Sequence, residues 1–121
     1  MSGPVARAVE ADEYYFEEGC FILELHNDPD DPGLSIARAR VPAGTATAWH
    51  RLRGTTERYV ILAGRGEAWV GDQGPLAVAP GDVVAIPPMV GQRIRNTGDD
   101  DLVFLALCTP RFERDNYVPG D

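Results

Sequence analysis

Short apolar runs rich in Val, Ile, Leu and aromatic residues recur along the chain, separated by clusters of Gly, Pro, Asp and Asn. No stretch holds the 3.6-residue period of an amphipathic helix. The pattern predicts strands over residues 21–25, 34–41, 46–52, 57–63, 67–70, 76–78, 83–86, 92–96 and 102–108. The segments between them carry turn chemistry: Pro fixes φ, Gly reaches positive φ, and Asp and Asn form local turns. Nine short strands with a turn about every ten residues predict an all-β chain of antiparallel strands, a sandwich or barrel. The first ~19 and last ~13 residues read as arms. Residues 9–16 suit one helical turn, and the tail from Thr109 is amphiphilic enough to cover a barrel end, a strand edge or a dimer partner. Linkers, repeats and low-complexity tracts are missing, so residues 1–121 read as one domain with a barrel core at about 21–108.

Period-2 alternation sorts the polar side chains by face. His50 shares a face with Ala48 and Leu52, Glu57 with Tyr59 and Ile61, and Gln92 with Ile94 and Asn96. Arg93 and Arg95 fall opposite Gln92, which makes theirs the solvent side. Three polar groups, His50, Glu57 and Gln92, are thus expected to point inward from three strands. A sheet interior holding a few convergent polar groups is a small-molecule site.

Composition narrows the function classes. The formal charge is −8, with 19 acidic residues against 11 basic ones, all of them arginine. An acidic chain without a basic patch is not expected to bind nucleic acid. With no lysine, Schiff-base chemistry and a phosphate-loop lysine are excluded. Apolar runs are far too short for a membrane helix, and the N-terminus has no apolar signal core, so a cytoplasmic protein with no membrane partner is expected. Cys20 and Cys108 are too few for a disulfide framework and read as buried small hydrophobes.

Two stretches resemble the paired motifs of the cupin superfamily. Gly44, His50, Glu57 and Gly64 stand at the spacing of the first motif, and Gly81, Pro87, Gln92 and Asn96 at that of the second. The resemblance implies a double-stranded β-helix, or jelly-roll, barrel, often a homodimer. It also implies one divalent transition metal (iron, manganese, nickel, copper or zinc) held in the family by three His and one Glu. Departures are informative. Leu52 replaces the second His of the first motif, Gln92 the His of the second, and Met89 a Gly. Carried over residue by residue, the ligand set is His50, Glu57 and Gln92, a harder and weaker cage than three imidazoles and a carboxylate.

Each candidate has a plain structural alternative. His50 and Glu57 read as metal ligands or as internally bonded polar groups, and Gln92 as ligand, substrate contact or packing. Tyr59 and His26 are candidates for assisting proton transfer, Tyr59 otherwise packing in the core and His26 ending a strand in a turn. Arg38 and Arg40 share one face: outward they are solvated, inward they form a fork for a carboxylate or phosphate. Leu52 would make one quadrant of the pocket apolar, and Asn96 is a further candidate contact. The expected activity is a metal-dependent oxygenase, isomerase or lyase step on a small polar or anionic metabolite. Ligand binding without metal or catalysis is the alternative.

Overall fold

In the computed structural model, residues 3–120 are described. Eleven strands run in chain order: β1 (Tyr14–Phe16), β2 (Cys20–His26), β3 (Ser35–Val41), β4 (His50–Leu52), β5 (Thr56–Ala63), β6 (Gly66–Val70), β7 (Gln73–Val78), β8 (Val83–Ile86), β9 (Gln92–Asn96), β10 (Leu102–Thr109) and β11 (Tyr117–Pro119). They form two antiparallel sheets, ordered β1-β2-β3-β10-β5-β8 and β11-β4-β9-β6-β7. This is the jelly-roll architecture of a double-stranded β-helix.

The alternation expected from the sequence holds where it matters. In β5, Glu57, Tyr59 and Ile61 are buried while Arg58 and Val60 are half-buried on the other face. In β9, Gln92, Ile94 and Asn96 are buried and Arg95 is exposed. Inner faces of both sheets meet in one apolar core that includes Ala39, Val41, Ile61 and Phe104 from the first sheet and Ala68, Val78 and Ile94 from the second. Val41, Ile61, Ile94 and Leu102 are at most 1% exposed, so this part of the barrel is dry.

A glycine pins the closure. Gly64 has φ +84°, and a Cβ there would lie 2.6 Å from the Asp101 carbonyl oxygen, so no other residue fits without moving backbone. Met89, where the second cupin motif has Gly, adopts φ +65°. That left-handed conformation suits Gly and strains Met by about 1 kcal/mol.

Three expectations need correction. The strand predicted over 46–52 is regular only from His50, because its first half changes partners: Thr47 N–H bonds Ile94 O and Ala48 N–H bonds Glu18 O. The helical turn expected over 9–16 is a 3-10 turn at Glu10–Asp12 followed by strand. Both arms contain strands. β1 adds to the edge of β2, and β11 covers the edge of β4, pairing Tyr117 with Leu52 and Pro119 with His50. Three-residue strands have too little pattern to be read alone; a docked neighbour makes them.

Candidate functional site

The inner wall brings His50, Glu57, Tyr59 and Gln92 together. His50 on β4 is the direct cross-strand partner of Gln92 on β9, and the two are 2% and 1% exposed. Nδ1–H of His50 donates to the Ala48 carbonyl at 2.8 Å. A carbonyl only accepts, so Nε2 carries the lone pair. Burial holds the imidazole below its usual pKa and keeps it neutral.

Glu57 is buried at 9% exposure. The cross-strand Cys108 thiol lies 3.8 Å from its Oε2. Its Oε1 has no hydrogen-bond partner within the protein. Burial, helped by the nearby Glu18 charge, pushes this carboxyl up to about 7, against the opposing influence of His50, Gln92 and Cys108.

Glu18, which the sequence did not single out, completes the cluster. It follows β1 on the N-terminal arm and sets Oε2 3.1 Å from His50 Nε2. Burial pushes its carboxyl to about 7 as well. A protonated Glu18 would therefore donate to the bare His50 Nε2, leaving both groups neutral. The C-terminal tail closes the other side: Tyr117 stacks on the His50 ring at 5.3 Å and meets Phe16 edge-on at 5.0 Å. The only sequence signal for Glu18 was a carboxylate just before a buried cysteine, which is no pattern at all.

Glu18 and Glu57 face a cavity of about 50 Å³, roomy enough for a few water-sized groups. A third carboxyl, Glu24, also lines it; the other walls are mostly apolar, among them Phe16, Ile22, Ala37, Ala106 and Phe112, and no arginine lines it. His50, Tyr59 and Gln92 are not lining residues. They stand behind Glu18 and Glu57.

Several expected site residues lie elsewhere. Arg38 and Arg40 point outward, because Ala37, Ala39 and Val41 take the inward positions of β3. Arg38 holds Glu10 through two hydrogen bonds of 2.8 and 2.7 Å, and Arg40 holds Glu13 at 2.7 Å and Asp101 at 3.3 Å. The expected anion fork is thus a clasp for the N-terminal arm. His26 bonds Asp31 at 2.8 Å in the turn after β2 and does not line the cavity. Asn96 spends its amide on the Val41 and Asp100 carbonyls and accepts from Gly98 N–H, pinning a loop. Leu52 is buried but does not reach the cavity. Tyr59 gives its hydroxyl proton to Gln92 Oε1, and burial raises its pKa well above 10.

That last bond bears on the metal. His50 Nε2 and Glu57 Oε1 are suitable donors, but Gln92's oxygen is occupied and its unpartnered atom is Nε2, which has no lone pair to give. Among the described residues no group of three or more His, Cys, Asp and Glu side chains is arranged to hold a metal ion. The set His50, Glu57 and Gln92 therefore does not fit a transition metal as expected.

Comparison with known proteins fits this picture of the fold. The family model described as the cupin domain matches residues 37–108. An uncharacterized protein of Methanocaldococcus jannaschii is 32% identical over 105 residues, 85% of this chain and 83% of that one. A glucose-6-phosphate isomerase of Pyrococcus horikoshii is 35% identical over 63 residues, 49% of this chain and 33% of that protein. Among solved structures, Pac13 of Streptomyces, a nucleoside dehydratase, superposes with a TM-score of 0.77 at 13% identity over 97% of this chain and 92% of that one. At that identity the likeness concerns the fold. Among the described residues no helix is long and apolar enough to cross a membrane.

Proposed function

The chain belongs to the cupin family, and within it we propose an enzyme that moves protons on a small molecule, in an isomerase or lyase type of step. One observation carries this reading: two carboxyl groups, Glu18 and Glu57, come from separate parts of the chain to face one cavity, each pushed to about 7. A group that titrates near neutrality is both a competent base and a competent acid. In this scheme Glu57, as the carboxylate, takes a proton from the substrate, and Glu18, as the acid, returns one. His50 Nε2 stands 3.1 Å behind Glu18 and serves as the next stop for its proton. Apolar walls and the two arms limit the water around both groups, which strengthens both roles.

The cavity selects an uncharged polar group, such as a hydroxyl or carbonyl. Three carboxyls, Glu18, Glu24 and Glu57, would repel an anion there, and no cation lines the wall to offset them. Enzymatic relatives support chemistry of this general kind: a glucose-6-phosphate isomerase by sequence and a nucleoside dehydratase by fold.

A second reading keeps a divalent metal on His50 and Glu57, favoured by the bare imidazole nitrogen and the unpartnered Glu57 oxygen. It requires Gln92 to release Tyr59. One experiment separates the two. Small hydroxy-carbonyl compounds are incubated in D2O with untagged protein, and metal content is measured by elemental mass spectrometry on the same samples. The acid–base reading expects chelator-resistant deuterium incorporation, with a bell-shaped pH profile belonging to the carboxyl pair, lost in Glu57→Gln and Glu18→Gln. One equivalent of a transition metal in wild type, gone in His50→Ala, together with exchange that a chelator stops, overturns it for the metal reading.

A further inference from the structure

We propose that the open depression outside the cavity, where Arg111 and Arg114 of the C-terminal tail stand beside Asn27, holds a carboxylate or phosphate group of the same molecule whose uncharged end enters the cavity. It rests on the acid–base reading and adds a substrate class: a small hydroxy or oxo compound that ends in an anion.

The depression, of about 470 Å³, adjoins the cavity, and Tyr14, Glu24 and Phe112 line both. Arginine occurs in only one of the two spaces. The inner one has carboxyls and no arginine, whereas the outer one is lined by two guanidinium groups. Arg111 is held in place: its Nε donates to Asn27 Oδ1 at 2.8 Å, and Asn27 Nδ2 donates to the Phe112 carbonyl at 2.8 Å. Its ion pair with Glu113, at 2.9 Å, involves a side chain 61% exposed that an arriving anion can displace; its charge also acts on Glu24. Arg114 lies over the Phe16 ring, 5.0 Å from its centre. No acidic side chain among the described residues pairs with it. A guanidinium seated over a ring still offers N–H groups to a carboxylate or phosphate. Three acidic groups also border the depression. Glu24 is held above the usual carboxyl range, mainly by burial, while Glu113 and Asp115 are exposed.

Four probes sharing one three-carbon skeleton test this: glycerol, glycerate, glycerol 3-phosphate and 3-aminopropane-1,2-diol. Each is titrated into 15N-labelled protein, following the amides of Asn27 and Arg114 outside and of Ala37 and Cys108 inside. An anionic probe is expected to move both groups of signals and to bind about tenfold tighter than glycerol. Whichever of the carboxylate and the phosphate binds more tightly identifies the natural end group. Arg114→Gln keeps a stem over Phe16 and should erase the anionic preference while leaving glycerol unchanged. Arg95→Gln makes the same charge change on the outer face of β9 and should alter nothing.

Tighter binding of the amine, equal binding of glycerol and the anions, no saturable shift with either anion, or loss of preference in Arg95→Gln would each overturn the proposal. Failure of the acid–base reading looks different. Anionic binding that depends on Arg114, with no deuterium exchange in any probe, leaves the anion subsite standing and removes the chemistry.

Discussion

The barrel wall and the two arms contribute to the site on unequal terms. His50, Glu57, Tyr59 and Gln92 sit on β4, β5 and β9, and β5 and β9 are bonded to neighbours along both edges. Their positions follow from the pleat, and each alternates with a residue facing the other way. Glu18, Phe16, Phe112, Tyr117 and Arg114 come from segments that lie over the barrel, anchored by three-residue strands and side-chain contacts. In the proposed scheme the wall supplies the base and a neutral histidine in a fixed frame. The arms supply the cover, the arginines beside the mouth and, in the same scheme, the acid. A fold divided in this way can change what it accepts by changing its arms while the wall stays as it is.

The largest effect should come from breaking the wall where it is dry. Ile61→Ala removes a side chain 1% exposed and should cost about 2–5 kcal/mol, read as a lower urea midpoint with an unchanged slope. A change in slope instead would show that the barrel does not unfold as one unit.

An intermediate effect compares the two carboxyls directly. Both have folded pKa values raised to about 7 from the ordinary 4.5, so their contribution is fully present below about 4.5 and is lost as pH rises to about 7. Each raised carboxyl is worth on the order of 3 kcal/mol across that window, less when the two are coupled. His50, pushed down, acts with the opposite sign below about pH 6.5, so each variant is compared with wild type rather than with itself. Glu57→Gln and Glu18→Gln should both be more stable than wild type at pH 8 and closer to it at pH 5, by urea melts at each pH. Should Glu18→Gln gain nothing while Glu57→Gln gains, the arm yields to solvent when its carboxyl ionises, and the contrast between wall and arm sharpens.

The smallest effect concerns the clasp. Arg38→Gln should leave the unfolding midpoint nearly unchanged and raise amide exchange in β1 by less than about tenfold, an increase that high salt reproduces in wild type. Exchange in β5 that rises equally would mean that the arm and the wall open together.

Legibility in the sequence follows the same division. The wall was readable because period-2 alternation and the cupin-like spacing of Gly44, His50, Glu57, Gly64, Gly81, Pro87 and Asn96 both act over long stretches. The jelly roll, the inward-facing trio and the family followed from those. Glu18 and the arm strands were not readable. What makes Glu18 special is a neighbour 32 positions later, and β11 is a strand only because β4 offers an edge. Gln92 failed for a subtler reason. Its place was legible, but whether its amide turns oxygen or nitrogen to the site depends on Tyr59, whose partner no spacing reveals. For Arg38 and Arg40 both directions stayed open: their alternation was visible, but which face is outer was decided by Val41 and Ala39 in the core.

Pairing of β11 with β4 has a consequence for how the protein is made. A ribosome has delivered every strand through β10 before it reaches Tyr117. A nascent chain therefore passes through a stage in which the sheets can zip up while the histidine is still wetted from the tail side. Until the last segment arrives, water competes for every proton that Glu18 and His50 would pass between them. Closure of the site on its Tyr117 side therefore waits for the segment that forms β11.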